Sequence, residues 1–222
     1  GRKEEMDGIR LLSLGHLKPL VYSSIPIRSA GLVYSSMFLF YTTSVIPKFG
    51  EGAFALYSYA DRASATLNTV CNAPAQQRYT SEVSHAVSLE RRDLHGELLK
   101  FARGSFPFYL FMGALSAPVI YFGADFIPSV GSGEAQTLTA AFCALFLWRV
   151  ILLVEFPAAT IAARLDARKK IILVNVLFGV LIASLVFFYE FKGLVSALLV
   201  LSPVQLLLTV IFWSFWNVES KK

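Results

Sequence analysis

Long apolar runs separated by short polar segments fill most of the chain after its first 19 residues. A helix needs about 20 mostly apolar residues to cross the hydrocarbon core of a bilayer. Six stretches meet or approach that length, at about 20–46, 52–75, 105–122, 137–163, 171–189 and 194–216. The pattern predicts an all-α integral membrane protein, with a six-helix bundle over 20–216, a linker or interfacial helix over 1–19 and a tail over 217–222.

The second apolar stretch is the weakest of the six, because it contains the adjacent acid and base Asp61 and Arg62 together with several Thr and Asn residues. An Asp or Arg at the centre of a membrane helix costs about 2.5–3.5 kcal/mol, whereas a strongly apolar residue returns only about 0.3–0.6 kcal/mol. We therefore expect this helix to face other helices or a wet cavity. Ionisable residues in that position are candidates for function by default.

A charged segment between the second and third stretches has helical periodicity. Val87, Leu94, Leu98 and Phe101 recur at spacings of seven, four and three residues, and charged residues fill the other positions. This pattern predicts an amphipathic helix over 84–101, lying either along the cytoplasmic interface or on the ends of the bundle.

The distribution of charge tests the assignment of spans. Fifteen of the 20 Lys and Arg residues fall in the termini and in the loops after the second and fourth stretches, whereas the alternate loops contain only Lys48 and Lys192. Cytoplasmic segments of membrane proteins carry an excess of Lys and Arg, so the division predicts six spans with both termini cytoplasmic. Anionic lipid headgroups account for the net charge of +5, and no nucleic-acid partner is needed.

Enzyme chemistry finds no support in the motifs. The sequence contains no P-loop, no HExxH, no GxSxG and no dinucleotide fingerprint, and its three histidines lie among charged residues of the loops. Cys71 and Cys143 form no CxxC, so their spacing indicates neither a disulfide framework nor a zinc site. We predict a protein that is not an enzyme and has no metal or cofactor.

Five charged residues lie within the predicted spans: Arg28, Asp61, Arg62, Arg149 and Glu155. Arg149 and Glu155 are six residues apart and so face different sides of one helix. We expect Asp61 to pair with Arg149, leaving Arg62 to face a cavity. A structural ion pair explains two of the five charges, and a hydrated, net-cationic cavity explains more of them. Arg28 is close enough to the cytoplasmic end to snorkel there, so structural and functional roles are both open.

Several short motifs, in order along most of the chain, resemble one membrane-protein family. They are a Gly-Ala step at 52–53, the run LYSYADR at 56–62, a proline-containing exit at 73–74, a span with prolines at 107 and 118, and the turn ARLDARKK at 163–170 followed by Asn175. Together they are similar to the C-terminal lobe of the multidrug/oligosaccharidyl-lipid/polysaccharide exporter superfamily. The Tyr-Ala-Asp-Arg run resembles that of lipid II flippases, and the turn resembles that of O-antigen and other polysaccharide flippases.

The resemblance implies a flippase of the cell inner (cytoplasmic) membrane that works by alternating access. Such proteins have two lobes around a central cavity and move sugars linked to polyprenyl diphosphate. Arg62 matches the family's motif arginine and is the first candidate for binding the diphosphate, with Arg28 and Arg149 as further candidates. The first lobe of the family is missing here, so a second lobe from a longer chain or a partner is expected.

Two other functions remain open. A drug or cation antiporter of the same superfamily would use Asp61 or Glu155 as a proton or sodium site. The three in-span bases against two acids favour an anionic substrate instead. A non-transporting assembly protein would use all five charges to hold helices together.

Overall fold

A computed structural model describes residues 31–86, 94–127, 130–131, 133–164 and 168–219. Within these ranges the chain is almost entirely helical and contains no strand. Helix α1 covers 31–45. It is followed by α2 (Ala53–Ala86), α3 (Leu94–Gly123), α4 (Ala135–Arg164), α5 (Arg168–Phe188), α6 (Leu194–Leu199) and α7 (Leu201–Glu219). Short 3-10 turns follow α1 at Ile46–Phe49 and α3 at Ala124–Phe126. The predicted all-α bundle is confirmed, with α6 and α7 together forming the sixth helical segment.

Four of the helical segments are long and apolar enough to cross a membrane. They are Lys100–Phe126, Ala135–Thr160, Lys169–Phe188 and Leu194–Ser214, and they confirm the third to sixth predicted spans. Helix α2 does not meet the same test, as expected from its polar residues. The first predicted span lies partly outside the described residues. The chain is a multi-pass membrane protein.

Helices α2 and α3 are longer than their apolar parts. With 34 residues, α2 is about 51 Å long, whereas the hydrocarbon core is only about 30 Å thick. The predicted surface helix over 84–101 is not a separate element in the described residues, because 84–86 close α2 and 94–101 open α3, while 87–93 lie outside. Packing explains why residues 94–101 continue into α3 without a break. The ring of Phe101 is buried, and its centroid lies 5.2 Å from that of Tyr79 and 5.5 Å from that of Phe156.

Helix α4 is the centre of the bundle and contacts α2, α3, α5, α6 and α7. Its buried apolar residues form much of the core: Leu138, Ala141, Phe142, Ala144, Leu145, Trp148, Leu153 and Ala158. Helix α1 packs on the same core through stacked rings. Phe38 lies 4.7 Å from Trp148, and Tyr34 lies 4.1 Å from Phe178 of α5. The central position of α4 brings its polar residues against helices on both of its sides.

The last span is broken between α6 and α7 at Val200. Pro203 lacks a backbone N–H, so the carbonyl of Leu199 loses its helical partner, and the proline ring also crowds that carbonyl. The break therefore lies on the N-terminal side of the proline, next to the carbonyl that has lost its partner.

Candidate functional site

Asp61 and Arg149 form an ion pair between α2 and α4. The Nη2 group of Arg149 donates to Oδ1 of Asp61 at 2.6 Å, and its Nε–H donates to the hydroxyl of Ser64 at 2.9 Å. The two charged side chains are only 30% and 17% exposed, respectively. The expected pairing of Asp61 with Arg149 is confirmed. It anchors the polar helix α2 to the centre of the bundle.

Arg62 points away from this pair, because the next residue of a helix is turned by about 100°. Its side chain is exposed, and no hydrogen bond or ion pair connects it to another residue that the structure describes. Further exposed polar residues follow on the same side of α2: Thr66 and Thr69. We call this set, with Arg62, the polar face of α2. The described helices leave it uncovered.

Glu155 of α4 is held on the opposite side by α7. Its Oε2 accepts a hydrogen bond from the Gln205 amide at 2.5 Å and lies 3.1 Å from the Thr209 hydroxyl. The Tyr34 hydroxyl of α1 donates to Oε1 of Gln205 at 2.9 Å, so the network joins three helices. Glu155 and Arg149 are not partners, in agreement with their spacing along the helix.

The sequence analysis did not single out the neutral members of these networks, Ser64, Tyr34, Gln205 and Thr209. One signal for two of them was present. Gln205 and Thr209 are four residues apart in an otherwise apolar span and thus share a helix face. Both are almost completely buried, and buried polar side chains need hydrogen-bond partners.

A cavity of about 270 Å³ lies between α2 and α4. Its lining combines polar and apolar side chains: Asn68, Gln76, Arg149, Leu152, Leu153, Glu155, Phe156 and Ala159. A second, more open cavity of about 520 Å³ shares Gln76 and Phe156 with the first and adds Ala73, Gln77, Thr80 and Ser81. The two together form a continuous depression, which we call the α2–α4 groove.

The groove is less cationic than the sequence suggested. It contains Arg149, which is neutralised by Asp61, and the carboxyl group of Glu155. Arg62 is not among its lining residues and belongs to the neighbouring polar face. Arg28 lies outside the described residues. The five charged residues thus divide into a structural pair, an acid bonded to α7, one exposed cation without a partner among the described residues, and one residue that is not described.

The groove offers amides, one guanidinium and one carboxyl group, which can donate and accept hydrogen bonds. This inventory suits a polar, hydroxyl-bearing ligand. Within the described residues, no group of three or more His, Cys, Asp or Glu side chains could hold a metal ion.

Comparison with known proteins finds no relative: no family model matches the chain, no curated protein matches its sequence, and no solved structure matches its fold.

Proposed function

We propose that this chain is one lobe of a flippase that moves polyprenyl-diphosphate-linked oligosaccharide, or a peptidoglycan precursor, across the cell inner membrane by alternating access. Both termini are cytoplasmic in this proposal, as the division of basic residues suggests. The second lobe comes from a longer polypeptide or from another subunit.

The proposal rests on Arg62, which is exposed and has no partner within the part of the chain that the structure describes. A guanidinium facing lipid is unfavourable, so the polar face of α2 requires water or protein beside it. A planar fork of donors is suited to a diphosphate. Since Asp61 is already neutralised by Arg149 at 2.6 Å, Arg62 remains available to an anionic ligand that enters between two lobes.

The α2–α4 groove supplies the second part of the site. Asn68, Gln76 and Gln77 present amide groups along it, and amides hydrogen-bond to sugar hydroxyls in either direction. The groove lies next to the polar face, so in this proposal the diphosphate binds at Arg62 and the sugars extend toward the amides.

Replacement of Arg62 tests the proposed site. In the full-length protein, Arg62→Ala should reduce flipping of the lipid-linked sugar in vesicles by about tenfold or more, because hydrogen bonds to charged groups contribute about 1.5–3 kcal/mol. Arg62→Lys should recover only part of the activity, since a lysine cannot form the bidentate contact. Arg103→Ala, at an exposed arginine of α3 outside the groove and the polar face, is the matched control and should transport normally. Normal transport by Arg62→Ala, with membrane insertion unchanged, would refute the assignment.

A cation antiporter is the second candidate, and the bonding of Glu155 favours it. A carboxyl group in the wall of a cavity, bonded to Gln205 at 2.5 Å and near Thr209 at 3.1 Å, is placed to exchange a proton or sodium ion. Glu155→Gln should then abolish ion-coupled export of a cationic drug, while Arg62→Lys leaves that export unchanged. A flippase should show the reverse pattern: Arg62→Lys reduces transport of the lipid-linked sugar, and Glu155→Gln leaves it unchanged.

The requirement for two lobes gives a separate prediction. Alternating access around a midplane site generally needs two halves that move against each other, and the uncovered polar face of α2 needs an opposing surface. This chain, purified alone, should therefore be inactive or should self-associate, as measured by light scattering beside a flipping assay. Robust translocation by a demonstrably monomeric form would contradict the two-lobe proposal.

A further inference from the structure

A third cavity, separate from the α2–α4 groove, lies between α2 and α3 and has a volume of about 200 Å³. Its lining residues come from the parts of both helices nearest the segment 87–93 that joins them in sequence: Ala75, Arg78, Tyr79, Lys100, Phe101, Gly104 and Ser105. The volume far exceeds the about 10–15 Å³ that admits one water molecule. None of these residues takes part in the proposed flippase site.

The walls of this cavity have two distinct characters. The rings of Tyr79 and Phe101 form a buried apolar wall, with only 4% of each residue exposed. Arg78 and Lys100 are exposed and bring two positive charges to the opening, one from each helix. The cavity thus joins an apolar interior to a cationic rim.

Ser105 brings a hydrogen-bonding group to the cavity wall. The residue is 3% exposed, and its hydroxyl oxygen has no hydrogen-bond partner among the described residues. A buried hydroxyl without a partner is rare in proteins, because desolvation is then uncompensated. Ser105 lines the cavity, so a ligand there can satisfy it. Gly104 beside it leaves the space open, since nothing lies within 4 Å of a Cβ placed there.

The position of the cavity along α3 indicates the class of ligand. The apolar segment of α3 that is long enough to span a membrane begins at Lys100, and the cavity lies at that end of the segment. Basic pockets between membrane helices at the ends of such segments bind anionic headgroups.

An apolar stripe on α3 begins at the cavity and runs into the membrane. Gly104, Phe108, Phe111 and Leu115 follow at spacings of four, three and four residues, which places them on one helix face. The three side chains are 55%, 60% and 47% exposed. Acyl chains can pack along this stripe while a headgroup occupies the cavity, and a free phosphate ion would make no use of it.

We propose that this cavity binds the phosphate of an anionic glycerophospholipid. The Arg78 guanidinium and the Lys100 ammonium contact the phosphate oxygens, the Ser105 hydroxyl donates to one of them, and the acyl chains lie along the apolar stripe of α3. The bound lipid fills the space between α2 and α3 at the membrane surface and is independent of any transported substrate.

Retention of lipid by the intact protein tests this site. The protein is reconstituted in vesicles of equal phosphatidylcholine and phosphatidylglycerol, and the lipids retained after extraction are counted by native mass spectrometry. Wild type should retain phosphatidylglycerol in clear preference. Arg78→Gln with Lys100→Gln should reduce that preference by about 30-fold, because each basic residue contributes a factor of about five. Arg103→Gln, an exposed basic residue of α3 outside the cavity lining, is the matched control and should stay within about twofold of wild type.

Three outcomes would overturn the proposal. The proposal is wrong if the wild-type protein shows no preference for phosphatidylglycerol. This outcome needs no variant, so the test holds even if the double variant fails to fold. An equal loss in Arg103→Gln would indicate general attraction to an anionic surface. Displacement of the lipid by excess inorganic phosphate would identify a free-phosphate site instead.

Discussion

At the scale of single residues, Asp61 and Arg62 have opposite environments although they are adjacent. Asp61 is held by Arg149 at 2.6 Å, and Arg62 is exposed on the polar face of α2. The difference follows from the helix rotation of about 100° per residue. One charge therefore joins two helices of the bundle, and the other forms no hydrogen bond or ion pair with the residues that the structure describes.

Breaking the Asp61–Arg149 pair should destabilise the bundle. Asp61→Asn leaves Arg149 without a counter-charge, and we expect a loss of about 1–2 kcal/mol in the free energy of unfolding. This is less than the about 3–5 kcal/mol of a fully buried pair, because the two side chains are 30% and 17% exposed. Adding Arg149→Met should recover at least half of the loss. The measurement is denaturant unfolding in detergent micelles.

Thr66→Ala, on the exposed side of α2, serves as the control and should change stability by no more than about 0.5 kcal/mol. If Asp61→Asn unfolds at the same denaturant concentration as the wild-type protein, the ion pair has no structural role.

Charge complementarity made this pair predictable from the sequence. The second and fourth spans each contain one acid and one base, so few pairs of opposite charge can form between them. The partners of Glu155 were not predictable in the same way. Gln205 and Thr209 carry no charge, and only the packing of α7 against α4 shows that they face the carboxyl group.

At the scale of elements, the contact of α3 with α4 depends on a small residue. Gly113 is buried, and a Cβ placed on it would overlap the ring of Phe146. That ring cannot move away easily, because Tyr109 lies 4.8 Å from it and Phe142 lies 6.0 Å from it. Glycine at this point lets the two helices approach closely, as small residues do elsewhere in membrane bundles.

Gly113→Ala should therefore destabilise the protein, by about 1–3 kcal/mol as for other overpacked cores. Phe146→Leu in the same chain should reverse part of the effect by making room. Gly104→Ala on the same helix has open space around its Cβ, and it should be neutral or stabilising by up to about 1 kcal/mol. Thermal unfolding in detergent compares the variants, and equal behaviour of the two Gly→Ala variants would contradict the packing argument.

Hydropathy located the apolar centres of the elements but not their ends. Helix α2 continues to Ala86, past the predicted limit at residue 75, because its outer part packs against α3 through Tyr79 and Phe101. Hydropathy also does not locate the break at Val200, because its position depends on where the chain relieves the strain caused by Pro203. Both features follow from contacts or local geometry that an average over residue hydropathy does not contain.

At the scale of the whole molecule, the loops with few basic residues lie together at one end. The carboxyl group of Glu134 is 4.0 Å from a Cβ placed on Gly52, and the turn Ile46–Phe49 contacts α6. These loops also contain Lys48 and Lys192, the two exceptions in the charge division. The clustering agrees with helices that alternate in direction across a membrane.

Cysteine labelling tests which end faces outward. With Cys71 and Cys143 replaced, single cysteines near Gly50 and Gly131 should react with a reagent that cannot cross the membrane, because the less basic end is external under the positive-inside tendency. Labelling of cysteines at positions 91 or 169 from outside would contradict the topology. As a control, labelling after the membrane is permeabilised shows that those positions can react.

The Asp61–Arg149 bond also has a consequence for biogenesis. Its two residues are 88 positions apart, so at about 5–20 residues per second of synthesis Asp61 is made about 4–18 s before its partner. During that interval α2 has no counter-charge and too little apolar surface to remain in lipid unaided. It has to wait beside the translocation channel or in water until α4 emerges. Helix α2 thus settles in the membrane late relative to its synthesis, and a nascent chain arrested before α4 cannot retain it there.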